Sequence, residues 1–157
     1  MVWLIAGMLA TGHAAEDGKS QTLNQALADI QSTEQTLRRK AELAERVRQK
    51  LLQQVDEFKA EVNQERQRVP GVAFPNVLQY ARIDADLRLI QRLIAYVDRL
   101  EDRINYYQSA VYTLDFYRSQ IHDKLLFLRA LNDADIAGLM QELATELELF
   151  KSQAEKP

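Results

Sequence analysis

Apolar residues recur from position 20 to 69 at Leu23, Leu27, Ile30, Leu37, Ala41, Ala44, Leu51, Val55, Phe58, Val62 and Val69. Their spacing alternates four and three, the period of a heptad seam. No Pro or Gly interrupts Ser20 to Arg68. The pattern predicts one long helix over 20–68. Glu34, Arg48 and Glu65 stand at seam positions where an apolar residue is due, and Ala41 and Ala44 leave the middle thin. Polar seam residues set register at a cost in stability. Glu34 with Arg38, and Glu42 with Arg46, add favourable i,i+4 pairs along the same helix.

Val69-Pro70-Gly71-Val72-Ala73-Phe74-Pro75-Asn76 breaks the pattern. Pro70 drives Val69 out of helical geometry, Gly71 permits a turn, and Pro75 suits the start of the next helix. A second seam follows over 77–131: Tyr80, Ile83, Leu87, Ile90, Ile94, Val97, then Leu100, Ile104, Tyr107, Val111, Leu114, Ile121, Leu125 and Leu128. Three residues separate Val97 from Leu100 where four are due, the mark of a stammer. Leu89, Leu93, Tyr96 and Phe127 widen the apolar stripe, which predicts contact with more than one helix. Asn132-Asp133-Ala134-Asp135 is a helix-start signal. Ile136, Met140, Leu143, Leu147 and Phe150 then mark one face of a third helix over 133–152.

The expected fold is all-α: a long antiparallel two-helix coiled-coil hairpin plus a short third C-terminal helix. At 1.5 Å per residue the two arms come to roughly 73 and 83 Å. The third helix covers only the end where the first begins and the second finishes. This predicts a three-helix base, a two-helix stalk and a tip loop at 69–76, in a single domain over 15–157. A slim hairpin buries less core than a compact chain, so a homodimer or higher oligomer along the wide stripe is expected. A compact dimeric bundle is the other arrangement.

Val2 to Ala10 is an apolar run, too short to span a bilayer and of the length found in signal peptides. Gly12 and Ala14 supply the small residues of a cleavage site, although no Lys or Arg precedes the run. Residues 1–14 therefore read as a signal peptide cleaved near Ala14, which places the mature chain in a bacterial periplasm or outside the cell.

Composition narrows the chemistry. The 157 residues hold only 5 Gly and 3 Pro, too few turns for a sandwich or a doubly wound fold. There is no Cys, hence no disulfide, thiolate nucleophile or lipid-modified cysteine. The net charge is −3 with mixed signs, which argues against nucleic-acid binding. Charge is uneven, however. Residues 132–157 carry two basic and six acidic side chains, and Arg38-Arg39-Lys40 is the one basic cluster. The acidic third helix is a candidate to dock on that cluster.

Two candidate interaction sites emerge. The tip carries Val69, Val72 and Phe74 in an almost wholly apolar loop, which either caps the hairpin's seam or docks a partner. The second helix carries Tyr106, Tyr112, Phe116 and Tyr117, beside seam residue Tyr107. Tyrosines suit protein interfaces because an apolar body ends in a polar group. His122, with Asp115 seven residues before it and Asp123 adjacent, lacks the three or four converging ligands of a metal site. No nucleophile elbow, phosphate loop or zinc-protease motif occurs. No catalytic residue, cofactor or metal is expected.

The outline of an exported, cysteine-free helical hairpin resembles that of periplasmic chaperones of the Skp type and of coiled-coil adaptors in envelope machines. The resemblance is one of architecture, without a shared residue motif. Skp-type chaperones are usually basic, whereas this chain is mildly acidic. The leading expectation is a non-catalytic spacer or adaptor in a bacterial cell-envelope assembly, reaching membranes only through its protein partners. The first alternative is a chaperone-like binder of unfolded or membrane-protein clients. The second is a small-ligand or metal-binding bundle.

Overall fold

The structure, a computed structural model, describes residues 3–68 and 77–155, with side chains described from Glu16 onward. Three helices account for nearly all of them: α1 (Trp3–Arg68), α2 (Val77–Leu126) and α3 (Asp133–Glu155). A single 3-10 turn, Leu128–Ala130, joins α2 to α3, and no strand occurs among the described residues. The two long helices pack against each other as an antiparallel hairpin, with α3 added at the C-terminus. The expected tip residues Val69, Val72 and Phe74 lie outside the described residues.

The helix boundaries depart from the sequence pattern in three places. α1 starts at Trp3 rather than near Ser20 and runs unbroken through Gly12 and Gly18. An isolated interior glycine costs a helix only about 1 kcal/mol, too little to stop it. α2 stops at Leu126 rather than Leu131. There the backbone tightens to i→i+3 bonds, Phe127 N to Lys124 O at 3.1 Å and Ala130 N to Phe127 O at 2.9 Å. α3 runs to Glu155 rather than Ser152, because buried Ala154 extends its apolar face by one more turn.

The chain divides into two units. Unit 1 joins residues 1–39 to 108–157, and its described core comes from all three helices. Leu23, Ile30 and Leu37 from α1 are fully buried, as are Leu114 and Ile121 from α2, and Leu143 from α3 is almost so. Asn132 caps α3, accepting the Asp135 backbone N–H on Oδ1 at 2.7 Å. Lys19 clasps the same corner. Its Nζ donates to the Leu131 carbonyl and pairs with Asp133, both at 2.9 Å. Arg129, in the 3-10 turn, reaches Glu16 at 3.4 Å. The ion pair Lys19–Asp133 ties α3 to α1, and Arg38 of the basic cluster pairs with Glu34 on its own helix, at 2.7 Å.

Unit 2, residues 40–107, contains only the facing stretches of α1 and α2. Val55 and Val62 pack with Ile83 and Ile90, and half-buried Leu93 closes the cluster. The seam continues through the stammer, with Val97, Leu100, Ile104 and Tyr107 all buried. Yet the seam is only half covered. Ile83, Ile90 and Val97 are buried, while the alternating Tyr80, Leu87 and Ile94 remain 53, 36 and 36% exposed. One facing helix covers a strip narrower than the apolar stripe of α2.

Candidate interaction surfaces

The polar residues that interrupt the first seam each meet a partner on α2. In unit 1, Glu34 is 8% exposed and lies between two guanidinium groups. Arg38 donates to its Oε1 through Nε at 2.9 Å and Nη2 at 2.7 Å, and Arg118 of α2 donates to its Oε2. Arg118 also reaches Asp115 at 2.6 Å. In unit 2, Arg48 bridges Glu45 and Glu101, each at 3.3 Å, and Glu65 pairs with Arg82 at 3.7 Å. Rising position on α1 matches falling position on α2, as an antiparallel pair requires. The buried carboxylate is thus fully engaged with cations, which suits a structural role rather than proton transfer.

The four aromatic candidates do not form one surface. Tyr112 and Phe116, one turn apart on α2 in unit 1, are 75% and 60% exposed. Tyr117 is half-buried, and its ring meets Phe116 edge-on with centroids 5.9 Å apart. Burial pushes its phenol above the usual 10.0, and the negative charges of Glu146 and Glu142 on α3 push it further. Tyr106 belongs to unit 2, half-buried, with its ring edge-on to buried Tyr107 at 6.0 Å. Tyr112 and Phe116 are therefore the pair left to solvent, while Tyr106 and Tyr117 contribute to packing.

Leu89, Tyr96 and Phe127, which widen the apolar stripe in the sequence, are exposed, and so is Leu126, which the pattern did not single out. Leu126 and Phe127 face solvent at its C-terminal end, in the turn where a continuing helix was expected. In unit 2, Leu89 and Tyr96 form a second row outside the core, with Arg99 stacked over Tyr96 at 5.7 Å. A groove between α1 and α3 in unit 1 also escaped the sequence pattern. Its only sequence signal is the small side chain of Ala26 or Ala144 amid larger seam residues.

His122 is exposed, and Asp115 is committed to Arg118 rather than to it. Among the described residues no group of three or more His, Cys, Asp or Glu converges to hold a metal ion. No helix among them is long and apolar enough to cross a membrane. Compared with known proteins, the chain matches no protein-family model, no curated protein and no solved structure.

Proposed function

We propose that this chain is a non-catalytic coiled-coil protein that works by protein–protein contact. In this reading residues 1–14 direct export, and the mature homodimer serves as a spacer or adaptor in a bacterial cell-envelope assembly. The observation that carries the reading is the exposure of Tyr112 and Phe116 on one face of a helix whose other face is packed. An aromatic side chain offers 150–250 Å² of burial, by general magnitude, so leaving two adjacent ones in water forgoes much stabilisation. Contact with a protein partner recovers it, and aromatic residues are enriched at such contacts.

The test is a tagged chain expressed in its native host, cross-linked, and compared with Tyr112→Ala/Phe116→Ala. The double variant is expected to keep its helical signal and melting temperature and to lose a specific cross-linked species. Retention of every cross-link by the folded variant sinks the aromatic contact. Intact-mass measurement of the same material is expected to start at Ala15.

The chaperone-like reading is favoured by a different observation, the exposed Tyr80, Leu87, Leu89, Ile94 and Tyr96 on α2 in unit 2. It gains if the purified protein holds an unfolded outer-membrane β-barrel protein in solution at stoichiometric amounts. It fails if aggregation of that client proceeds unchanged.

A further inference from the structure

The groove in unit 1 has a volume of about 450 Å³ and lies wholly within that unit. Its floor is apolar, made by Ala26 of α1 with Leu143 and Leu147 of α3. One wall is Gln21, Gln25 and Asp29, a row with one-turn spacing on α1. The other is Met140 and Ala144, one turn apart on α3. Both walls therefore repeat at the helical period, and ridges at that period receive the side chains of another helix. Ala26 and Ala144 leave room for its close approach, and the unbranched Met140 adapts to what arrives. Asp29 is the only titratable side chain in the lining, so the groove holds no set of convergent catalytic groups.

Charge decides which helix fits. Asp29 stands in the wall, its Oδ1 accepting from Gln25 Nε2 at 3.1 Å. Exposed Asp17 lies one turn before Gln21, and exposed Glu148 one turn after Ala144. Lys19, at the open end of α3, is spent on Asp133 and the Leu131 carbonyl. Lys151, one turn after the lining residue Leu147, is the one basic residue of α3, against Asp17, Asp29 and Glu148 along the lines of the two walls. A second copy meeting this groove face to face would set Asp29 and Glu148 against like charges. A helix flanked by Lys or Arg meets complementary charge instead.

We propose that the α1/α3 groove of unit 1 docks a basic amphipathic helix of a partner protein, whose small or medium apolar side chains recur at i, i+3, i+4 and i+7. The assignment rests on the reading that the chain works by protein contact, but it uses a surface other than Tyr112 and Phe116.

The test uses the full chain and two fluorescein-labelled 18-residue peptides with the same Leu/Ala face, one flanked by Lys and one by Glu. The Lys peptide is expected to bind at least about tenfold more tightly than its Glu twin, a difference of about 1.4 kcal/mol. Ala144→Trp, at an exposed helical position, fills the groove and is expected to weaken the Lys peptide about tenfold. Asp29→Lys should weaken it about two- to fivefold, the size of a rim charge pair. Tyr112→Ala/Phe116→Ala should leave it unchanged while abolishing the cross-link described above, so the two proposals fail separately.

Because the chain has no cysteine, Ala144→Cys offers a second measurement that needs no bulky substitution. It should trap a Lys peptide carrying one central cysteine, whereas Ala60→Cys, exposed in unit 2, should not. Equal binding of both peptides, undiminished binding by folded Ala144→Trp, or equal trapping at residues 144 and 60 overturns the proposal. A disulfide-linked homodimer of Ala144→Cys formed in preference to the peptide adduct overturns it in favour of a second copy.

Discussion

Gly18 and Gly138 both sit inside helices, and a Cβ built at either meets nothing within 4 Å. Neither glycine is needed for space, and no described residue has a positive φ. Each pays the entropic cost of glycine in a helix without a packing return. Gly18→Ala and Gly138→Ala should each stabilise the fold by about 0.5–1 kcal/mol, read as a higher urea midpoint at unchanged slope. Tyr117 gives the pH-dependent counterpart. Its raised phenol, due first to burial and then to Glu146 and Glu142, binds its proton more tightly folded than unfolded. Its contribution is therefore complete below about pH 10 and is lost as pH rises through the folded value. Tyr117→Phe should flatten the fall in stability above pH 10. A fall of the same steepness in the variant would assign the effect to other groups.

At the level of helices, the seam interruptions proved more informative than the seam. Glu34, Arg48 and Glu65 are legible in the sequence as misplaced polar residues, but their partners are not. Arg118, Glu101 and Arg82 lie tens of residues away on α2, among several charges with equal claims. Removing one member of a buried pair leaves the other uncompensated. Glu34→Ala should destabilise unit 1 by about 2–3 kcal/mol, less than for a fully buried pair because the Arg118 side chain is 32% exposed. Glu34→Leu with Arg118→Leu should recover most of that loss in urea titration. If the double variant is no better than the single, the pair supplies stability rather than register. The end of α2 was hidden for a related reason. Lys124 to Leu131 holds no Gly or Pro, and leucine favours helix. The turn that follows is held by Lys19, more than a hundred residues earlier, and by the Asn132 cap of α3. The break at 69–76 carries its own Pro and Gly and was plain. The aromatic stretch was legible as a composition, but the division between solvent-facing Tyr112 and Phe116 and inward Tyr117 follows from where α3 lies.

Across the whole molecule the two units differ in how completely their helices are covered. Unit 1 buries side chains from three helices, whereas unit 2 has two helices and a thin stretch at half-buried Ala41 and Ala44. Amide hydrogen exchange should therefore be faster in the helices of unit 2 than in those of unit 1 wherever the chain is monomeric. Uniform protection of the native protein would mean that the open apolar rows of α2 are covered in solution, as the expected homodimer requires. The expected homodimer gives a direct check: light scattering should return twice the chain mass, and Leu87→Lys/Ile94→Lys should return the monomer. A native monomer removes self-association from the proposed function.

Unit 2 is one uninterrupted stretch of chain, set between the two segments that build unit 1. That nesting constrains how a gene encoding this protein drifts in length. Seven codons lost between Arg48 and Glu65 would slip the rest of that arm against an arm that kept its length, setting Glu65 against the wrong neighbours. A matching loss between Arg82 and Glu101 would restore the Glu65–Arg82 pair and leave the ends of the chain as they were. Length variants of such a gene should thus arise as coupled insertions or deletions in multiples of seven, one in each arm, with the codons for 1–39 and 108–157 nearly constant in number.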